Sequence, residues 1–155
     1  VQRDGEGEGG CGCARPAAAV AGSGPTWTQA TAVERDDHGE INGHEWFISG
    51  AKGAQFAIPI ARTEDDPDVP QAANSAFLVD IPSEGWEIVR DIHTMSGSHN
   101  HCEIRISGLK VPKANMLGGR GQGHLLGQAR LGPARLAHCM RWVGQAEMAL
   151  EMMVD

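Results

Sequence analysis

The chain has 155 residues, 21 of them glycine, with 41% hydrophobic positions, no tyrosine and a formal net charge of −7. That length suits one domain with a real core, burying roughly 70% of the surface exposed when unfolded. No 18-residue apolar run is present to span a membrane and the opening residues do not read as a secretory leader, so a soluble, intracellular chain is expected. Residues 1–100 carry 6 Lys+Arg against 16 Asp+Glu, whereas residues 101–155 carry 7 against 4. An acidic majority of this kind speaks against nucleic acid as a partner.

Seven of the glycines fall within the first 24 residues. Residues 1–16, VQRDGEGEGGCGCARP, have almost nothing to bury and are expected to form a disordered tail unrelated to the rest. Cys11 and Cys13 lack the two-residue spacing of a zinc knuckle, and the four cysteines together fit a reducing compartment.

Residues 17–117 read as a β-domain. Short runs of strand-forming residues recur between turn-formers at Gln29 to Glu34, Ile41 to Ser49, Gln55 to Arg62, Ser75 to Ile81, Trp86 to Ile92 and Cys102 to Ile106. Six such segments predict an antiparallel β-barrel or sandwich. The acidic stretch EDDPDVPQAAN, Glu64 to Asn74, is expected as an exposed loop.

Residues 118–155 read as the start of a helical domain. Val111-Pro112 is expected to end the extended run, and Gly118 to Gly123, GGRGQG, to form a flexible hinge. Although that run superficially resembles a dinucleotide-binding loop, antiparallel-type strands precede it, so the required βαβ unit is missing. Helix is expected from about His124, broken at Gly132-Pro133, with Pro133 opening a second helix. In that second helix Leu136, Met140, Val143, Ala146, Leu150 and Met153 form one apolar stripe that needs a partner surface. The first residue is Val, and MALEMMVD at the other end keeps helical rhythm with no stop signal. The chain is therefore expected to be a piece of a longer polypeptide.

Three stretches in this order resemble the acyl-CoA dehydrogenases, flavoenzymes that desaturate the α,β bond of acyl-CoA thioesters. They are INGHEWFISGAKGAQFAIPIART, HCEIRISGLKVPKANMLGGRGQGHLLGQARLGPARL and HCMRWVGQAEMAL. The resemblance covers roughly Val20 to Asp155, and RLGPAR followed by HCMR is closer to the branch that includes members fused to kinase-like domains than to the medium-chain enzymes. It implies a middle β-barrel domain joined to the first two helices of a C-terminal bundle, FAD as cofactor and an acyl-CoA substrate. It also implies an electron-transfer flavoprotein as acceptor, a homo-oligomeric full-length parent, and a bacterial cytoplasmic or mitochondrial matrix setting.

By the same resemblance Phe47, Ile48 and Ser49 line the flavin, with Phe47 as the aromatic at the ring edge and Ser49 as the hydroxyl near the hydride-accepting N5 atom. Ser23, Asn74 and Arg135 match substrate-binding positions. The chain departs from the family at Ala17-Ala18-Ala19 and Gly24, where the family has Thr-Glu-Pro and Asp. The carboxylate that takes the substrate α-proton has no counterpart, since its two family positions fall beyond Asp155 and at Ala134. No catalytic residue is assigned, and the chain alone is expected to be inactive. An acyl-CoA oxidase or nitroalkane-oxidising relative, and a non-catalytic β-barrel binding or assembly module, stay open as alternatives. His93, His99, His101 and Cys102 bring metal-ligating types together, but His101 and Cys102 are adjacent on a strand and face opposite sides, so no metal site is expected.

Overall fold

The computed structural model describes residues 28–154 apart from 66, 67, 69, 96, 98 and 99. The glycine-rich tail, Cys11, Cys13, Ser23 and His99 therefore lie outside the described residues. These fall into two compact units, one ending at His124 and the other running from Leu125.

The first unit is a mixed β structure. Its strands are β1 (Thr31–Glu34), β2 (His38–Ser49), β3 (Phe56–Ala57), β4 (Ile60–Arg62), β5 (Asn74–Phe77), β6 (Val79–Asp80), β7 (Trp86–Asp91), β8 (His101–Pro112) and β9 (Met116–Leu117). Seven of them form one sheet in the order β7-β8-β2-β1-β4-β5-β9, and β3 pairs with β6 separately. The sheet is open, so the expected closed barrel is not what forms. Pairing is antiparallel except for one parallel bridge, Thr31 opposite Arg62. The segments read as single strands at Gln55 to Arg62 and Ser75 to Ile81 are each split. Pro59 cannot donate to a ladder, and β3 and β6 leave the main sheet to pair with each other.

Two long central strands, β2 and β8, carry the core, and two bulges keep their apolar residues on it. Along β8, Cys102, Ile104 and Ile106 are buried at even positions, then Leu109 and Val111 at odd ones. The change of phase falls where Ile41 opposite Leu109 gives way to Gly43 opposite Ile106, which leaves one extra residue on β8. Gly108 sits in that bulge at φ +62° and donates its N–H to Asn42 Oδ1 at 2.7 Å. Such a backbone is open to glycine and strained for residues with a Cβ. Along β2 the phase changes again, with Ile41 and Glu45 buried and then Ile48. Trp46 and Phe47 together oppose the single residue Glu103. β8 thus runs on to Pro112, six residues past the expected end, because the bulge hides its second half from a period-two pattern.

The glycine run before the helix is a packed turn and not a loose hinge. A Cβ at Gly121 would lie 2.6 Å from the Ala72 carbonyl oxygen, and one at Gly123 would lie 2.7 Å from the Ser75 carbonyl carbon. Only hydrogen fits where these two glycines meet the backbone of Ala72 and of Ser75. Gly121 N–H also donates to Ser75 Oγ at 2.9 Å.

One continuous helix, α1 (Gly123–Val154), replaces the two expected, and Pro133 lies inside it. Proline costs its own N–H bond and normally forces the preceding residue out of helical geometry through a clash with its Cβ. Gly132 has no Cβ, which removes part of that clash, and the helix continues through the proline. In the unit from Leu125 onward, the stripe residues Leu136, Met140, Val143, Leu150 and Met153 are all more than 60% exposed.

Candidate functional site

Alternation sends 101, 103 and 105 of β8 to the face opposite the core, where they meet the outward residues of β2 and β7. At the centre of this outer face lies Glu103, only 6% exposed. One carboxylate oxygen accepts from Arg90 Nε at 2.5 Å and the other meets His44 Nε2 at 2.7 Å. Arg90 first, and His44 second, hold the Glu103 carboxyl below the usual carboxylate range. The Arg90 guanidinium also lies 5.3 Å from the Trp46 ring centroid, a cation–π arrangement.

His44 Nε2 also lies 3.3 Å from Trp46 Nε1. A single nitrogen cannot accept from the indole N–H while donating to a carboxylate. The shorter, charge-assisted contact with Glu103 takes the proton on Nε2, and the indole is left in edge contact with the imidazole, ring centroids 6.2 Å apart. The carboxylate therefore fixes His44, Arg90 and, through them, Trp46.

Beside Trp46 stands Phe47, its ring centroid 6.1 Å away. Phe47 is 52% exposed and holds φ +58°, alone among the described non-glycine residues in having a positive φ. Its cause is the β2 bulge: Glu45 and Ile48 both enter the core, so the chain between them must absorb an extra residue, and the aromatic is thrown outward. Two residues on, Ser49 is exposed, and its Oγ lies 2.8 Å from His101 Nδ1 directly across the ladder. Next to this pair, Lys52 Nζ and Asp91 Oδ2 are 2.5 Å apart.

Of the residues matched to a flavin site, the structure brings Phe47 and Ser49 out onto one exposed strip. Ile48 is 6% exposed with its side chain in the core, so only its main chain can meet a ligand on that face. An exposed aromatic beside an exposed hydroxyl fits the edge of a flat, polar-rimmed ring such as a flavin. Of the residues matched to substrate, Asn74 is fully buried opposite Arg62 in the β4–β5 ladder and not at a loop surface. Arg135 lies in the other compact unit, where the expected first turn is the interior of α1, and donates to Gln128 Oε1 at 3.1 Å. Cys102 faces the core, its thiol pushed up by burial and donating to Asp91 Oδ1 at 3.7 Å, while the adjacent His101 faces outward.

Two features escaped sequence reading. The Glu103 cluster joins residues 44, 46, 90 and 103, and nothing in their spacing announces it. The second is a cleft of about 290 Å³ floored by Ala32, Phe77 and Met116. At its rim Glu34 bonds Lys113 and Arg120, at 2.7 and 2.8 Å. Arg120 also bonds Glu64 and the Thr63 carbonyl oxygen, pinning the glycine turn to β1 and to the residues that follow β4.

No protein-family model matches the chain. Curated relatives do. It is 40% identical over 129 residues to the Mycobacterium tuberculosis protein described as "Probable acyl-CoA dehydrogenase FadE2", covering 81% of this chain and 32% of that one. It is 34% identical to human "Acyl-CoA dehydrogenase family member 11", covering 88% of this chain and 18% of that one. Among solved structures, a glutaryl-coenzyme A dehydrogenase in complex with glutaryl-CoA matches with a TM-score of 0.64 at 30% identity, over 74% of this chain and 28% of that chain. The chain thus spans about a third or less of the length of these relatives. Identities of 34–40% to curated acyl-CoA dehydrogenases over more than four fifths of this chain, with the match to a solved member, place this chain in the acyl-CoA dehydrogenase family.

Proposed function

We propose that the chain supplies the flavin-facing sheet and the first helix of an FAD-dependent acyl-CoA dehydrogenase, an enzyme that oxidises acyl-CoA to 2-enoyl-CoA and passes electrons to an electron-transfer flavoprotein. The supporting observation is the β2 bulge, which holds an exposed Phe47 at φ +58° beside an exposed Ser49 hydroxyl. Strained backbone that survives in a folded chain is concentrated at functional positions.

Bound FAD would supply the hydride-accepting ring. Toward it, Phe47 offers an apolar wall that keeps water from the ring edge, and Ser49 offers a hydroxyl that can donate to the hydride-accepting nitrogen before reduction and accept from it afterwards. Ile48 anchors both by filling the core between them. Ser23 and Arg135 are the substrate-binding positions, with Arg135 presenting an exposed cation suited to the phosphate-bearing part of CoA. Asn74, being buried, supports the β4–β5 pair and does not touch substrate through its side chain. No carboxylate of this chain is assigned as the α-proton acceptor. The segment is inactive alone, and the activity belongs to a longer, homo-oligomeric protein of the bacterial cytoplasm or mitochondrial matrix.

Titration of the ¹⁵N-labelled chain with millimolar FMN, followed by backbone amide shifts, tests the assignment. Shifts are expected to concentrate at Trp46 to Gly50 and at His101. Shifts confined to other strands, or none, would refute it.

A further inference from the structure

The Ser49 hydroxyl carries one hydrogen, and His101 Nδ1 at 2.8 Å competes for it. When neutral His101 holds its proton on Nε2, Nδ1 is an acceptor, Ser49 donates to it, and no hydrogen is left for a ligand on the outer face. When Nδ1 is protonated, in the other tautomer or the imidazolium, the direction reverses. Nδ1 then donates to Oγ, and the hydroxyl hydrogen turns outward.

The pairing is built into the fold. Ser49 and His101 are register partners in the β2–β8 ladder, and the next bond along the chain, Gly50 N–H to the Asn100 carbonyl oxygen at 2.9 Å, fixes the strand ends around them. The charged groups beside the pair are Lys52 and, on β7, Asp91, which neutralise each other at 2.5 Å. Among the described residues His93 follows β7, and Cys102 turns into the core. Among the described residues the imidazole is the one titratable group hydrogen-bonded to Ser49.

We propose that His101 is a positioning residue for Ser49: by donating from Nδ1 it makes Oγ an acceptor and directs the single hydroxyl proton to the hydride-accepting nitrogen of a flavin ring on the outer face. This rests on the flavin-facing reading of β2. The hydride-accepting nitrogen of the oxidised ring has a lone pair that accepts such a proton, whereas after reduction it carries its own hydrogen, so His101 favours the oxidised form.

Long-range ¹H–¹⁵N correlation spectra of the histidine side chains read this directly, with oxidised and anaerobically reduced FMN as probes. Oxidised FMN is expected to shift His101 toward Nδ1 protonation in the parent chain and in Ser49→Thr, which keeps the hydroxyl, but not in Ser49→Ala, and reduced FMN is expected to do so less. His101→Leu is expected to weaken oxidised FMN about fivefold relative to reduced FMN, the scale of one hydrogen bond. Amide shifts along β2 with His101 protonation unchanged would overturn the proposal and leave the flavin reading standing. No shifts along β2 with either form would remove both.

Discussion

Gly108 gives a prediction in which backbone conformation can be separated from packing. An ideal Cβ built on it meets no atom within 4 Å, yet its φ is +62°. Gly108→Ala therefore carries no steric penalty from neighbours, and only the left-handed backbone cost remains, roughly 1–2 kcal/mol for a residue with a Cβ. Against this stands the lower entropy of the unfolded alanine chain, about 0.4–1 kcal/mol. The net loss is about 1 kcal/mol. With a urea m-value of roughly 1–3 kcal/mol/M, the midpoint should fall by about 0.3–1 M at unchanged slope. Gly108→Asn should lose about half as much, since asparagine visits this region readily, and Gly108→Val should lose most. Equilibrium urea unfolding followed by the amide signals of β2 and β8 measures the series. An alanine variant as stable as the parent would refute the bulge as the device that returns Leu109 and Val111 to the core.

Three further outcomes follow from the same geometry. Gly123→Ala drives a methyl against the β5 backbone, 2.7 Å from Ser75 carbonyl carbon, and should cost about 1–3 kcal/mol as an overpacked site, seen as a lower thermal midpoint. Glu103 has a folded-state pKa below its unfolded value, so its contribution is complete above the usual carboxylate range and is lost as pH falls through the depressed value. Glu103→Gln should lower the urea midpoint at pH 7 and flatten its decline on acidification, and an acid limb identical to the parent would exclude this carboxylate as its source. Arg120→Ala removes exposed ion pairs to Glu34 and Glu64 together with the Thr63 bond. The loss should be about 1 kcal/mol and shrink in molar salt, whereas a salt-independent loss would show that the backbone bond carries it.

The strands legible in the sequence were those whose inward residues keep strict alternation. HCEIRI announces Cys102, Ile104 and Ile106, and the reading stops where Gly108 adds a residue, although Leu109 and Val111 continue the same buried row. Pro133 misled for a related reason: proline usually ends a helix by losing an N–H bond and crowding the residues before it, and Gly132, with no Cβ, removes part of that crowding. The glycine turn was legible as glycine but not as close packing, because the atoms it touches, Ala72 and Ser75, are some fifty residues away in the chain. Residue types at 47 and 49 pointed to the outer face, whereas the left-handed φ of Phe47 arises only from the mismatch between two strands. Asn74 read as a loop residue because the acidic stretch before it is polar, and its burial comes from pairing with Arg62.

The pairing of β2 with β8 also bears on how the chain folds. Ser49 and His101 lie across a ladder whose strands are separated by fifty or more residues, so the outer strip cannot assemble from any local hairpin. Closing so long a loop is unfavourable until the core contacts around Ile104 reward it, and topologies of this kind fold slowly. α1, by contrast, is made of contacts three and four residues apart and can form within microseconds. Time-resolved protection of the Ser49 and Gly50 amides should therefore trail that of the helix, making the same strand pair a clock for the last stage of folding.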